Sequence, residues 1–250
     1  MKPTHFLVSA MALVAIAGCN SKQGDAATNT PVQLEQVQPP AGGDWSEVVN
    51  PTPEGGFVMG NPNAKVKLVE FGSMTCPHCA EFDEAGADKL VNTYVKSGQV
   101  SWEFRNYVRD GFDLAASLVA RCNGANSVFP LTRALYKDQN SWVEKIQSAP
   151  PQQMEALQNL PPNRQFVEMA KIAGFQQWGA MRGVPETKSA QCLSDENSIN
   201  QLVQMNSDAT TQHPEFQGTP SFVINGKMLK DTATWEKLEP QLRTALGERG

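Results

Sequence analysis

The sequence predicts an α/β fold with an inserted helical subdomain. Three observations support this fold class: a strand–helix–strand unit over about residues 66–104, a series of helical patterns over about 110–212, and a strand–strand–helix unit from residue 221 onward. The first unit fits a βαβ arrangement, because two parallel strands need a crossover connection, usually a helix. Residues 44–250 are numerous enough for one domain with an insertion.

The first unit begins with a short β-branched run, Val66 to Phe71, which lies between loop residues and predicts a buried strand. A helix is expected directly afterwards, because one face recurs every four positions, at Phe82, Gly86, Leu90 and Tyr94. Residues 100–104 then alternate between apolar and polar side chains, which indicates a second strand.

The insertion and the final unit follow in order. Helical patterns cover residues 112–122, 166–173 and 199–206, and the helical stretch is broken by prolines at positions 130, 150, 151, 161 and 162. Residues 221–224 and 227–229 then read as a hairpin, whose Asn225-Gly226 pair suits a type I′ turn. A last helix carries one apolar face, formed by Trp235, Leu238, Leu242 and Leu246.

The most informative motif is Cys76-Pro77-His78-Cys79, since two thiols separated by two residues can close and reopen a disulfide. The preceding strand delivers Cys76 to a helix N-terminus, where unpaired N–H groups and the helix dipole favour a thiolate. Pro77 suits the first turn of that helix, and a protonated His78 would add to the effect. Cys76 is therefore expected to attack, and the less exposed Cys79 to resolve the mixed disulfide.

Other readings of the motif remain open. Half of a zinc site would need two more ligands, which Cys122 and Cys192 could supply only through space, while His5 and His213 are isolated. A c-type haem would need His directly after the second cysteine, where Ala80 stands. A purely structural disulfide in such a tight loop would stabilise the fold weakly. We expect no metal in the site.

The N-terminus predicts export. Lys2 precedes an apolar stretch at 6–17 that is too short to span a bilayer, and residues 1–18 read as a signal peptide. Ile16-Ala17-Gly18-Cys19 resembles the lipobox of bacterial lipoproteins, which implies a lipid on Cys19; the alternative is an ordinary secretory signal cleaved near Gly18. Residues 19–43 contain few large apolar side chains and are expected to form a flexible tether.

Charge and cysteine count restrict the function further. The net charge of −5, without a long basic run, argues against a nucleic-acid partner. Five cysteines, less Cys19 and the pair at 76 and 79, leave Cys122 and Cys192. In an oxidising compartment this even remainder suggests a structural disulfide between two helical segments, and two buried free thiols are the alternative.

Two separate motifs resemble the DsbA family of exported thiol-disulfide oxidoreductases. Residues 70–79, from Glu70 through the second cysteine, resemble the active-site segment of that family, and Gly218-Thr219-Pro220-Ser221-Phe222 resembles its cis-proline segment. A hairpin and a final helix follow, as they do in the family. The resemblance covers essentially everything after the tether and implies a thioredoxin-like fold with an inserted helical subdomain.

The resemblance also implies roles for individual residues. Thr219 and cis Pro220 would line the groove in which a substrate backbone docks. Glu70 lies on the predicted strand face shared with Val66 and Leu68, where a buried carboxylate would have a raised pKa and could accept the proton of Cys79. The alternative for Glu70 is an ion-paired strand residue. The redox-active disulfide would serve without a cofactor.

The expected function is the formation of disulfides in exported proteins. The expected partners are unfolded or reduced exported proteins and a membrane redox protein that reoxidises the pair, with the chain lipid-anchored on the periplasmic side of a bacterial membrane. Thr219 leaves a second direction open, because the best-known oxidases of the family carry Val before the cis proline, whereas Thr is common in isomerase and reductase relatives. A non-catalytic lipoprotein that binds metal or polypeptide is the third possibility.

The lipobox prediction can be tested by mass spectrometry and by membrane fractionation. The mature protein should fractionate with membranes and carry lipid mass on Cys19, because several acyl chains hold a protein stably at a bilayer. Cys19→Ser should release the protein or block its processing, while Cys122→Ser should leave the lipid in place. An unmodified N-terminus on a processed, freely soluble protein would show that the segment is a plain signal peptide.

Overall fold

A computed structural model describes residues 34–39 and 43–248, and within them six strands form one mixed sheet. The strands are β1 (Val49–Pro51), β2 (Phe57–Met59), β3 (Val66–Gly72), β4 (Val100–Asn106), β5 (Ser221–Ile224) and β6 (Lys227–Met228). Their order across the sheet is β1-β2-β4-β3-β5-β6, with β3 and β4 parallel and all other neighbours antiparallel. The predicted βαβ and hairpin strands are confirmed, whereas β1 and β2 were not predicted.

The central strand β3 is buried on both faces. Glu70 pairs with Phe104 of β4 and with Phe222 of β5, so these side chains share one face of the sheet. The opposite face carries Phe71 and Val223, which belong to a second buried cluster. This arrangement places the carboxylate of Glu70 among large apolar side chains.

The helix after β3 begins as predicted and then widens. It starts as α1 (Pro77–Phe82) and continues through two π-helical segments, Asp83–Ala87 and Leu90–Val95. A strict spacing of four residues exceeds the 3.6 residues of an α-helical turn, and the wider π turns keep the predicted positions on one face. Gly86 lies on that face directly against the Trp235 ring, where a Cβ would be 2.6 Å from a ring carbon.

The predicted helical insertion is confirmed as eight helices between β4 and β5. Their bounds are α2 (Gly111–Arg121), α3 (Val128–Lys137), α4 (Gln139–Gln147), α5 (Pro151–Leu157), α6 (Pro162–Ala173), α7 (Phe175–Ala180), α8 (Glu186–Ser194) and α9 (Glu196–Gln212). Pro150 and Pro161 precede helices as expected, but Pro130 lies in the first turn of α3, where its missing N–H is tolerated. Val203, placed with the apolar residues of α9, is exposed.

Cys122 and Cys192 form the predicted disulfide. Cys122 caps the C-terminus of α2, Cys192 lies in α8, and their Cα atoms are 5.7 Å apart. The alternative of two free thiols is therefore wrong. The bond closes a loop with a sequence separation of 70, for which the chain-entropy model gives a stabilisation of about 4 kcal/mol.

The C-terminal unit matches its prediction. Asn225 and Gly226 both have positive φ, 49° and 83°, as a type I′ turn between β5 and β6 requires. The final helix, α10 (Trp235–Leu246), buries Trp235, Leu238 and Leu242. In the part of the chain that is described, no helix has the length and apolar character needed to cross a bilayer.

Part of the expected tether contacts the domain. The Val37 N–H donates to the Ser97 carbonyl at 2.8 Å, and the Trp45 indole N–H donates to the Val37 carbonyl at 2.9 Å. Val37 also packs beside Gly98, so residues 34–39 differ from the flexible segment expected. The signal peptide, Cys19 and the rest of the tether up to residue 33 lie outside the described residues.

Candidate active site

The two cysteines occupy the positions predicted for them. Cys76 is the N-cap residue of α1, four residues after the end of β3, and Pro77 holds the first helical position. Both thiols are free in the structure. Cys76 retains 4% of its surface and Cys79, one turn further, retains 0%, so Cys76 is the one that a second molecule can reach.

The environment of Cys76 stabilises a thiolate. Its pKa lies at about 5, below the ordinary 9.0, chiefly because the Cys79 thiol donates a hydrogen bond to it. The Thr219 side chain and the backbone N–H groups of Cys79 and His78 act in the same direction, while burial opposes them. The helix N-terminus thus contributes as predicted, through these N–H groups.

His78 acts on Cys76 from a distance. Its exposed imidazole lies 2.9 Å from the Glu81 carboxylate, between Nδ1 and Oε2. That contact raises the pKa of His78, and the charge of Cys76 raises it further. His78 therefore favours the thiolate by charge, as predicted, but Glu81 is its closest partner.

Cys79 and Glu70 lie in the interior below Cys76. Burial raises the pKa of the Cys79 thiol well above its ordinary value, and the neighbouring Cys76 adds to this. Burial, followed by the charge of Asp83, raises the pKa of Glu70 from 4.5 to about 8. Glu70 can therefore hold a proton near neutral pH, and its charge, when ionised, raises the pKa of Cys79 further.

The alternative of an ion-paired Glu70 is not supported. The carboxylate is 1% exposed and accepts a hydrogen bond from the Trp102 indole at 3.0 Å. Among the described residues, none of the ion pairs includes Glu70.

The Thr219–Pro220 loop meets the cysteines as predicted. The Thr219–Pro220 peptide bond is cis, and the Cys76 sulfur lies 3.1 Å from the Thr219 carbonyl oxygen. The loop borders a groove of about 500 Å³, which is lined among others by Gly218, Thr219, Pro220, Met228, Lys230 and Lys237. Thr219, whose carbonyl contacts Cys76, is thus part of the groove lining.

The segment before Cys76 is held by residues that the sequence analysis missed. Asp113 of α2 is fully buried and accepts hydrogen bonds from the Ser73 hydroxyl at 2.5 Å and from the Met74 N–H at 2.9 Å. Burial raises the pKa of Asp113 to about 6. Gln139, at the start of α4, donates to the carbonyls of Met74 and Cys76 at 2.7 and 3.0 Å.

Asp110 and Arg109 hold the same segment, residues 73–76, from its solvent-exposed side. The Thr75 hydroxyl donates to Asp110 at 3.1 Å, and the Arg109 guanidinium donates to the Thr75 carbonyl at 3.2 Å. Asp110 is also the N-cap of α2, a local signal that the sequence carries. Gln139 gives no such signal, because its contacts join residues more than sixty positions apart.

A zinc site that uses the CxxC pair has no further ligands in the described part of the chain. Cys122 and Cys192 are bonded to each other, so neither can complete a tetrahedral site. Residues 34–39 and 43–248 contain no group of three or more His, Cys, Asp or Glu side chains that could hold a metal.

Comparison with known proteins identifies one family. The family model described as thioredoxin matches residues 52–243. A solved structure of a protein-disulfide isomerase from Novosphingobium aromaticivorans has a TM-score of 0.72 and 32% identity, covering 76% of this chain and 97% of that one. The structure of alpha-DsbA1 from Wolbachia pipientis shares the fold, with a TM-score of 0.63 at 18% identity, covering 79% and 94%.

Sequence relatives agree with this match. A protein of Rickettsia bellii named "Putative protein-disulfide oxidoreductase" is 29% identical over 198 residues, which are 79% of this chain and 67% of that protein. This chain spans only about half the length of several other rickettsial relatives.

The pKa of Cys76 is predicted to depend mainly on Cys79. Cys79→Ala should raise it by about 1 to 2 pH units, the value of one hydrogen bond to a charged group. Cys79→Ser, which keeps a donor, should raise it less, and so should His78→Ala, because that imidazole is exposed. Thiolate absorbance against pH measures each midpoint. A wild-type midpoint above about 7, or no change in Cys79→Ala, would contradict this account.

Glu70 is predicted to make stability pH-dependent. Its pKa is about 8 in the folded dithiol form against 4.5 as the ordinary value, so stability falls as pH rises through that window. Glu70→Gln removes this loss and should stabilise the protein by roughly 3 kcal/mol at pH 7, with little effect at pH 4. Denaturant unfolding at both pH values measures it, with exposed Glu84→Gln as control. An equal effect at both pH values would mean that Glu70 is not protonated in the fold.

Proposed function

This chain belongs to the thioredoxin family, and we propose that it is an exported thiol-disulfide oxidoreductase that forms disulfides in other exported proteins through Cys76 and Cys79. One observation supports the proposal that the protein oxidises its substrates and does not reduce them. The pKa of Cys76 is about 5, whereas that of the neighbouring Cys79 is raised well above its ordinary value. A stable Cys76 thiolate stabilises the reduced pair, and a protein whose reduced form is stabilised is an oxidant.

The reaction starts from the Cys76–Cys79 disulfide. A substrate thiolate attacks the Cys76 sulfur, the bond between the two cysteines breaks, and Cys79 leaves as a thiolate. Glu70 gives its proton to Cys79, whose burial disfavours charge. A second substrate thiolate then attacks the substrate sulfur of the mixed disulfide, and Cys76 leaves as the stable thiolate.

The substrate chain would dock beside the Thr219–Pro220 loop. The groove there runs past the residue whose carbonyl and side chain both contact Cys76. Backbone groups in such a groove bind an extended segment with little regard to its sequence, as β-augmentation does. This suits unfolded proteins of many sequences as substrates.

A disulfide isomerase or reductase is the second candidate. Thr219 precedes the cis proline. Isomerase and reductase relatives of the DsbA family commonly carry Thr at that position. The related solved protein from Novosphingobium aromaticivorans is named a protein-disulfide isomerase. The same exchange chemistry would then start from the reduced pair and reshuffle wrong disulfides.

Location and partners extend the proposal. The lipobox-like residues 16–19 support a lipid anchor on the periplasmic side of a bacterial membrane. Each cycle leaves a reduced pair, so an oxidant must remove two electrons to restore the disulfide, and a membrane redox protein is the partner that we propose for this step. The acidic net charge of −5 argues against a nucleic-acid partner. Non-catalytic metal or polypeptide binding is the third possibility, and it predicts no disulfide transfer.

Disulfide transfer to reduced, unfolded ribonuclease A tests the proposed direction. The oxidised protein should pass one disulfide per Cys76–Cys79 pair to the substrate within seconds to minutes, faster than uncatalysed rearrangement. Cys76→Ala should abolish the transfer. Cys79→Ala should accumulate a mixed disulfide on Cys76 when it meets an oxidised substrate.

Two controls separate the candidates. The Cys122→Ser and Cys192→Ser double variant should transfer disulfides at the wild-type rate at low temperature, since that pair lies outside the active site. Scrambled ribonuclease offered to the reduced protein measures isomerisation. Efficient repair of scrambled ribonuclease without transfer to the reduced substrate would favour the isomerase and contradict the oxidase.

A further inference from the structure

The backbone around Cys76 presents two carbonyl oxygens to one buried side chain. The Gln139 amide nitrogen lies 2.7 Å from the Met74 carbonyl oxygen and 3.0 Å from the carbonyl oxygen of Cys76 itself. An amide nitrogen carries two N–H donors, so one glutamine can satisfy both carbonyls. Gln139 is 6% exposed and Met74 is fully buried, so water competes little with these two hydrogen bonds.

Other donors contribute little to these two oxygens. Among the described residues no second group donates to the Met74 carbonyl, and the Ala80 N–H reaches the Cys76 carbonyl only at 3.4 Å. The N–H groups of the first helical turn have no partner within the helix, and those of His78 and Cys79 bind the Cys76 sulfur. The sulfur is therefore bound by N–H groups, while the neighbouring carbonyls are bound by Gln139.

The corner between α3 and α4 fixes the position of Gln139. Gln139 is the first residue of α4, and the carboxylate of the preceding Asp138 accepts hydrogen bonds from the Trp178 indole and the Arg182 guanidinium, each at 2.8 Å. The Arg182 guanidinium also lies over the Trp178 ring, 4.3 Å from its centroid. An amide dipole held in this way is preorganised, because it need not reorient when charge appears on Cys76.

The two carbonyls matter because of the charge on Cys76. A peptide oxygen carries partial negative charge, so an oxygen turned toward the Cys76 sulfur would oppose a thiolate there. The thiolate exists only in the reduced pair, since the disulfide carries no charge. A group that favours the thiolate therefore stabilises the reduced form selectively, and a stabilised reduced form makes the pair a stronger oxidant.

We propose that Gln139 is a positioning residue that sets the redox equilibrium of the Cys76–Cys79 pair through the backbone. Its amide binds the carbonyls of Met74 and Cys76, keeps both dipoles turned away from the Cys76 sulfur and leaves that sulfur to the N–H groups. Its hydrogen bonds go to the backbone, so Gln139 is not itself a catalytic residue. The inference rests on the proposed function, in which the Cys76 thiolate stabilises the reduced pair.

Gln139→Met tests the proposal, because methionine is close to glutamine in size but has no N–H donor. The pKa of Cys76, read by thiolate absorbance, should rise by about 0.5 to 1 pH unit, the value of one ordinary hydrogen bond. At pH 7 the equilibrium with glutathione should favour the reduced pair about three- to tenfold less, which is roughly 15 to 30 mV. Gln147→Met is the matched control at the exposed end of α4 and should change neither quantity.

Unfolding by denaturant separates this role from a merely structural one. A structural clamp would stabilise the oxidised and reduced forms equally, whereas a group that favours the thiolate stabilises the reduced form alone. At pH 7 Gln139→Met should therefore lower the unfolding equilibrium of the reduced form about three- to tenfold more than that of the oxidised form. The excess should vanish at pH 4, because the stability that a lowered pKa contributes is lost as pH falls through its folded value of about 5.

If Gln139→Met does not fold, Gln139→Asn serves the same test, since it keeps the amide but is one carbon too short to bind both carbonyls. A folded variant with an unchanged Cys76 pKa and an unchanged glutathione equilibrium would overturn the proposal, even if disulfide transfer is confirmed. Equal loss of stability in the oxidised and reduced forms at pH 7 would overturn it as well. The expected shifts in a protein that transfers no disulfide would support the role of Gln139 and contradict only the proposed function.

Discussion

The site depends on the placement of two sulfurs at one helix N-terminus. Cys76 is the N-cap residue and is slightly exposed, whereas Cys79 lies in the first turn and is fully buried. Cys76 receives hydrogen bonds from the Cys79 thiol and from backbone N–H groups, which favour its thiolate. Cys79 is enclosed and keeps its proton. A difference of one pKa unit is worth about 1.4 kcal/mol, so this asymmetry decides which sulfur attacks, which one leaves and in which direction electrons flow.

The inserted helices hold this asymmetry in place. Asp113 of α2 and Gln139 of α4 bind the backbone between Ser73 and Cys76 on both sides, and both are buried. The insertion therefore does more than cover one end of the sheet. It fixes the turn of residues 73–76, which places Cys76 next to the Thr219 carbonyl. Tyr136 and Asp83 line a cavity close to that turn.

Local patterns predicted most of the site. The spacing of Cys76 and Cys79, the buried position of Glu70 and the Thr219–Pro220 loop can all be recognised within a few neighbouring residues, and the disulfide followed from an even remainder of cysteines. Contacts between distant residues were missed, because Gln139 and Asp113 meet the Met74 backbone across 65 and 39 positions without any periodic signal. The strands β1 and β2 were missed because each has only three residues.

The reduction potential of the Cys76–Cys79 pair tests the central claim most directly. At pH 7, a thiol with a pKa of about 5 stabilises the dithiol by about 2 kcal/mol more than one with a pKa near 7, which is about 50 mV for a two-electron couple. Equilibration with glutathione, read by tryptophan fluorescence or thiol labelling, should therefore give about −220 mV or higher, above the value of about −270 mV for thioredoxin. A potential at or below about −270 mV would contradict an oxidant built on a stable Cys76 thiolate.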